Sequence, residues 1–67
     1  MVMLNEYAIV RLKQPDPEIP LPLGTAGTVL IIHPSNPPAY EVEFLDNAGK
    51  SLGNYTVEEA NLDEIKE

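Results

Sequence analysis

Strict alternation of apolar and acidic side chains marks the stretch AYEVEFLD. Tyr40, Val42 and Phe44 alternate there with Glu41 and Glu43. A period of two residues is typical of a strand with one face toward a core and the other toward water. The stretch therefore predicts a half-buried strand whose two glutamates face solvent, and it favours a β-rich fold.

Other segments show related patterns and extend this expectation to five strands. Ala8, Val10 and Leu12 alternate with polar positions such as Arg11, while AGTVLIIH is apolar on both faces. NAGK supplies the Asn and Gly of a hairpin turn. The strands predicted besides Ala39–Asp46 are Tyr7–Lys13, Ala26–His33, Ser51–Val57 and Leu62–Ile65.

Two further local signals complete the expected order of elements. Thr56 and Glu59 have the spacing of a capping box, so VEEAN predicts one helical turn before the last strand. The segment QPDPEIPLPLG contains four prolines, which exclude a helix or a central strand there. We expect a long extended loop between the first two strands.

Gly24 and Gly27 lie between this loop and the second strand. The sequence around them has no G-x-G-x-x-G pattern and no Lys followed by Ser or Thr, so a phosphate site is not indicated. Glycine is favoured where a chain needs a positive φ or where another backbone comes too close for a Cβ. We therefore interpret both glycines as requirements of the fold.

The order of these elements predicts an all-β fold, a small five-stranded SH3-like barrel with one short helical turn before the last strand. Closure into a barrel would remove the exposed edges of a flat sheet. The 67 residues are enough for one domain, residues 1–67. No cysteine is present, so the core must stabilise the fold without disulfides.

The charge of the chain bears on its partners and its location. Eleven acidic and four basic residues give a net charge of -7, which disfavours binding to nucleic-acid phosphates and favours a basic protein surface. The first ten residues contain no basic leader, and no apolar run reaches the length of a membrane span. We expect a cytoplasmic protein that does not bind membranes.

Catalysis and metal binding are not indicated. His33 is the only histidine, and without cysteine or a second histidine it does not make a zinc site. The paired carboxylates have the pattern of solvated side chains, and no serine or lysine stands in a nucleophile motif. We therefore expect no enzymatic activity, no cofactor and no metal ion.

More apolar residues are present than one inner face can hold. If Val29 and Ile31 point inward, then Leu30 and Ile32 lie on an outer face, together with Tyr7 and Ile9 of the first strand. An exposed apolar patch commonly marks an interaction surface. The alternative is that loop residues fold over this patch and cover it, namely Ile19, Leu21 and Leu23.

LPLGTAGTVLII followed by AYEVEFLDNAGKSLGNYTV resembles a family of small bacterial proteins, common in cyanobacteria, that is known as a domain of unknown function. The shared elements are G-x-x-G-T-V, Gly24 to Val29, and Y-E-V-E-F, Tyr40 to Phe44. The resemblance covers about Tyr7 to Ile65. It implies an SH3-like barrel without assigned catalysis, and some relatives resemble the antidote partners of small toxins.

The leading hypothesis is a non-enzymatic, acidic protein-binding module, such as the antitoxin-like or immunity-like partner of a basic toxin. Acidic side chains would set specificity and an apolar anchor would be buried on binding. The candidate partner-binding residues are Glu18, Ile19, Leu30, Ile32, Glu41 and Glu43. The alternatives are an RNA-binding SH3-like module and an accessory subunit of a larger enzyme, and a homodimer through Leu30 and Ile32 is compatible with all three.

Overall fold

A computed structural model describes residues 4–66. The first three residues and Glu67, which the predicted domain 1–67 includes, lie outside this range. The strands are β1 (Ile9–Leu12), β2 (Ala26–His33), β3 (Ala39–Leu45), β4 (Ser51–Glu58) and β5 (Leu62–Glu64). A 3₁₀ turn, Glu59–Asn61, precedes β5.

The strands form one antiparallel sheet in the order β4-β3-β2-β1-β5. This confirms the predicted all-β class, the hairpin of β3 and β4, and the helical turn before the last strand. The sheet is open in its hydrogen bonding, because β4 and β5 are its two edge strands. The long β2 lies at the centre of the fold and pairs with β1 and β3.

The predicted capping box is wrong. The residue before the 3₁₀ turn is Glu58, and it makes no side-chain capping bond. The hydroxyl of Thr56 instead donates a hydrogen bond to Glu41 Oε2 on β3, at 3.0 Å. Because Thr56 is still within strand β4, its side chain is directed across the sheet and is not available to the turn.

The inner face of the sheet holds the core. Val10 and Leu12 of β1 are buried as predicted, and the three apolar residues of the YEVEF stretch are wholly buried. Ala8 is half-buried and packs against the same cluster. The remaining members of the cluster come from β2, β4, β5, the first loop and the N-terminal segment: Val29, Val57, Leu62, Ile19 and Leu4.

The loop between β1 and β2 contributes to this core. No residue from Lys13 to Thr25 belongs to a helix or strand, as the prolines predicted. Ile19 is only 4% exposed, and Leu21 packs against the core. Leu23 is exposed. The loop therefore covers the inner face of the sheet from the side that no second sheet occupies.

The two glycines after the loop have the structural roles that the sequence indicated. Gly24 has a φ of 88°, a conformation that residues with a Cβ rarely adopt. Gly27 is buried in β2, opposite Phe44 of β3. The first glycine permits the end of the loop, and the second permits close packing of two central strands.

Candidate functional site

A β-bulge in β2 decides which of its apolar side chains face outward. Val29 pairs with Val42 and Ile31 pairs with Glu41, so Leu30 is the extra residue between two consecutive pairs. A bulge places two residues of one strand opposite one residue of its partner. After the bulge the alternation is therefore reversed, and Ile31 lies on the outer face beside Glu41.

The bulge corrects two predicted orientations. Ile31, predicted to face inward, is 54% exposed. Ile32, predicted to face outward, is half-buried and packs against the core. Val29 precedes the bulge and is buried as predicted. The alternation of the sequence fails at this point because four branched residues in a row carry no sign of an inserted position.

Leu30 and Ile31 belong to a larger surface, here called the outer-face patch, which consists of Tyr7, Ile9, Leu30, Ile31, Glu41 and Glu43. Ile9 of β1 pairs with Thr28, and Thr28 pairs with Glu43, so these three side chains form one row across the outer face. Tyr7 is 65% exposed and Ile9 is 46% exposed. The patch thus combines exposed or half-buried apolar side chains on β1, on β2 and at Tyr7 before β1 with carboxylates on β3.

Tyr7 has a left-handed backbone conformation that two backbone hydrogen bonds stabilise. Its φ is 66°, which is uncommon for a residue other than glycine and costs roughly 1–2 kcal/mol. The N–H of Tyr7 donates to Val29 O at 2.7 Å, and Ala8 N–H donates back to Asn5 O at 3.0 Å. The turn ends the pairing of β1 with β2 and leaves the Tyr7 ring exposed to solvent.

The carboxylate of Glu41 lies between two side-chain neighbours. Its Oε2 accepts a hydrogen bond from Thr56 and lies 3.5 Å from His33 Nε2. Charge-assisted bonds of this kind fix the direction of a carboxylate.

Glu18 and Ile19 are neighbours in the first loop, and only Ile19 departs from its predicted role. They line a shallow cavity of about 310 Å³ together with Glu41, Tyr55 and other residues of β4. Glu18 is therefore close to the acidic edge of the patch. The side chain of Ile19, by contrast, is buried in the core, so it offers no apolar surface to a partner.

The structure thus brings together four of the six predicted site residues, Glu18, Leu30, Glu41 and Glu43, and directs Ile19 and Ile32 into the interior. The alternative that loop residues fold over the outer face and cover the patch is wrong, because Ile19 and Leu21 pack on the inner face. Sequence reasoning missed Ile31, which the bulge exposes. It also missed Glu6, which lines a cavity of about 400 Å³ with Leu30, Ile31 and Ile32.

A buried titratable group lies away from the patch. Burial, followed by the hydrogen bond to Glu59, raises the pKa of the Tyr40 hydroxyl above its usual value. The same oxygen accepts a hydrogen bond from Leu4 N–H at 3.0 Å. This arrangement connects the N-terminal segment, β3 and the 3₁₀ turn, and its role is structural.

The described residues hold no arrangement suited to metal binding. Within residues 4–66, no group of three or more His, Asp or Glu side chains is placed to hold an ion. The same range contains no buried side-chain nitrogen or oxygen that lacks a hydrogen-bond partner. The outer-face patch can offer apolar contact area and carboxylates to another molecule.

None of the helical segments described between residues 4 and 66 has the length and apolar character that a membrane crossing requires.

These features define a small, acidic, all-β domain with an exposed patch that is apolar on two strands and acidic on the third. The chain belongs to the family DUF4926, a domain of unknown function, whose match covers residues 6–64. No curated protein and no solved structure matches it. The family membership agrees with the resemblance of the sequence to a domain of unknown function.

Proposed function

We propose that this protein is a non-enzymatic binding module whose outer-face patch docks onto a basic surface of another protein. The observation that supports this most directly is the bulge at Leu30, which sets Leu30 and Ile31 on the same face as Glu41. An apolar centre with charges at its margin is the usual composition of a protein interface.

The net charge of -7 supports a basic partner. Carboxylates around an apolar anchor accelerate encounter with a cationic surface and disfavour acidic competitors. The antitoxin-like or immunity-like partner of a basic toxin is the concrete form of this proposal. Such a pair would meet in the cytoplasm.

We infer that the sheet curls into an SH3-like barrel. Val10, Val42 and Phe44 are wholly buried. Outside the strands, the described residues that join the buried cluster are Leu4 and Ile19, and two side chains are too few to cover a flat sheet of five strands. The order β4-β3-β2-β1-β5 and the 3₁₀ turn before β5 are compatible with this architecture.

The test starts from the natural partner. Affinity capture from native lysate and mass spectrometry, or the product of a neighbouring gene, would identify candidates, and the dissociation constant of the purified pair would then be measured. Leu30→Ala should weaken binding about tenfold or more, as expected of a residue at the centre of an interface. Glu43→Ala should weaken it through loss of charge attraction at the margin, most strongly at low salt.

Asp63→Asn is the matched control for the change of charge. Asp63 is on β5, and its only described ion pair is the exposed contact with Lys13 at 3.4 Å, which contributes little to stability. Its replacement should change affinity less than about twofold. Unchanged affinity for both Leu30→Ala and Glu43→Ala would exclude this surface.

A further inference from the structure

Within residues 4–66, the second half of the central strand β2 has an edge without a neighbouring strand, next to the outer-face patch. Along its whole length β2 pairs with β3, but β1 accompanies only its first half, at Ala26–Thr28. The turn at Tyr7 then directs the chain away from β2. Among residues 4–66, no strand lies beside Leu30–His33 on that side.

The direction of the backbone groups on this edge follows from the pairing. Val29 N–H donates to Ala8 O at 2.9 Å, and Val29 O accepts from Tyr7 N–H, so both groups of Val29 point away from β3. In an antiparallel ladder, Val29 and Val42 are therefore a pair without mutual hydrogen bonds.

The same parity can be followed along β3. Pairs with and without mutual hydrogen bonds alternate along an antiparallel ladder. Because Val42 makes no hydrogen bonds to β2, the backbone groups of Glu41 point toward β2 and those of Tyr40 point toward β4. Ile32 pairs with Tyr40 and is again a non-bonded partner. Its N–H and C=O consequently point away from β3, on the side where Tyr7 and Ala8 bond to Val29.

The two outer edges of the sheet are less suited to accept another strand. β5 is only three residues long and carries Asp63 and Glu64. β4 has a register shift next to Phe44 and Leu45 of β3, and Gly53 has a φ of 121°. Short length, charges and bulges are the features by which edge strands avoid additional pairing.

The surroundings of the β2 edge indicate the chemistry of its occupant. The cavity of about 400 Å³ at this edge is lined by three apolar residues of β2 and by Glu6. Glu41 is the neighbour of Ile31 across the sheet. A strand with alternating apolar and cationic side chains would place its apolar groups against Leu30 and Ile31 and its cations near these carboxylates.

We propose that the Leu30–His33 edge of β2 binds an extended, basic segment of the partner protein as an additional strand, with the N–H and C=O of Ile32 as its central hydrogen-bonding groups. In this binding mode the main chain supplies affinity, and alternate side chains supply specificity. A second copy of this chain is disfavoured, because both copies would carry a charge of -7. The proposal rests on the proposed function and specifies how the outer-face patch is used.

Amide exchange provides the direct test. ¹⁵N-labelled protein would be titrated at low salt with a short synthetic peptide that alternates Lys and Val, and hydrogen exchange of single amides would be followed by NMR. At about nine-tenths saturation, exchange of the Ile32 amide should slow about tenfold. The Val29 amide already bonds to Ala8 O and should not change.

Two control peptides test whether binding needs a backbone donor and positive charge in the peptide. Substitution of a central Val by Pro removes a backbone donor and should abolish the protection of Ile32. A peptide that alternates Glu and Val should not bind. Equal binding of the acidic peptide would overturn the basic character assigned to the occupant, and protection of Ile32 by the Pro peptide would overturn strand addition.

A pair of protein variants tests the location. Ile31→Lys adds a positive charge at the β2 edge, where Ile31 is exposed enough for the fold to tolerate it, and should weaken peptide binding about tenfold by charge repulsion and loss of apolar contact. Leu52→Lys adds the same charge at an exposed position of β4 and should weaken it less than about twofold. An equal loss of peptide affinity in the two variants would contradict binding at the β2 edge.

The outcomes separate this inference from the proposed function. Peptide binding that leaves Ile32 exchange unchanged would overturn strand addition and leave docking onto the outer face intact. Absence of peptide binding at millimolar concentration would also overturn strand addition, whereas the proposed function is judged on Leu30→Ala and Glu43→Ala with the natural partner. Self-association in sedimentation with Ile32 protected before peptide is added would make a second copy the occupant and would overturn the proposal.

Discussion

Gly27 of β2 lies so close to Val42 of β3 that a Cβ on the glycine would be 2.7 Å from Val42 Cγ1 and 2.8 Å from Glu43 O. The second contact is with backbone, which a rotamer change cannot relieve. A glycine is thus required where the two central strands pack most closely.

Replacement of Gly27 by alanine should therefore destabilise the protein by about 1–3 kcal/mol, the usual cost of overpacking a core. Gly24→Ala is the control. A Cβ at Gly24 meets nothing within 4 Å, so only the positive φ opposes it, at about 1 kcal/mol. Urea unfolding that ranks Gly24→Ala as the more harmful change would contradict the importance of the β2–β3 contact.

Removal of the Tyr40 hydroxyl should also destabilise the protein. Tyr40→Phe eliminates the bond to Glu59 Oε1, at 2.7 Å, and leaves the buried Leu4 N–H without its acceptor, a loss of about 1–3 kcal/mol. Tyr7→Phe removes a hydroxyl from an exposed ring and should change the free energy of unfolding by less than about 0.5 kcal/mol. Equal values for the two variants in urea unfolding would show that the Tyr40 bonds contribute nothing.

Tyr40 should in addition make stability fall at alkaline pH. Burial raises the pKa of Tyr40 above the ordinary value of 10.0, so the unfolded chain loses the proton first. The stabilisation is complete below pH 10.0 and is lost as the pH rises toward the folded-state pKa. The difference in unfolding free energy between the wild type and Tyr40→Phe, measured from neutral to strongly alkaline pH, should become smaller above pH 10.0, and a constant difference would refute this assignment.

Because of the bulge, truncation of two adjacent isoleucines should affect the free energy of unfolding to different extents. Ile31→Ala truncates an exposed side chain and should change stability by less than about 0.5 kcal/mol. Ile32→Ala removes contacts with the core and should cost about 1–2 kcal/mol, somewhat below the range for fully buried isoleucine. Thermal or urea unfolding would distinguish them, and a larger loss for Ile31 would mean that β2 continues without a bulge.

Much of this fold follows from the pattern of the sequence. The alternation around Val42 places β3 and its inner face correctly, and the bounds of β2 agree with prediction at both ends. The prolines indicate the irregular loop, and Asn47 and Gly49 indicate the hairpin turn, where Gly49 has a φ of 84°. These features were predictable because each depends on neighbours along the chain.

The features that define the candidate site depend on distant residues. The bulge at Leu30 is a property of the register with β3, and the burial of Ile19 depends on how the first loop packs across the sheet. The left-handed conformation of Tyr7 is maintained by a bond to Val29, far along the chain. Local periodicity carries no information about such contacts, so Ile19, Ile31 and Ile32 were assigned to the wrong surfaces.

The burial of Ile19 affects where proteases can cut the first loop. A segment without helix or strand is ordinarily cut by local opening, at a rate unrelated to the rest of the molecule. Here the side chain of Ile19 is buried in the core, so a protease that binds this side chain must first release it from the core. Cleavage next to Ile19 should therefore follow the stability of the core, whereas cleavage at the exposed loop positions need not.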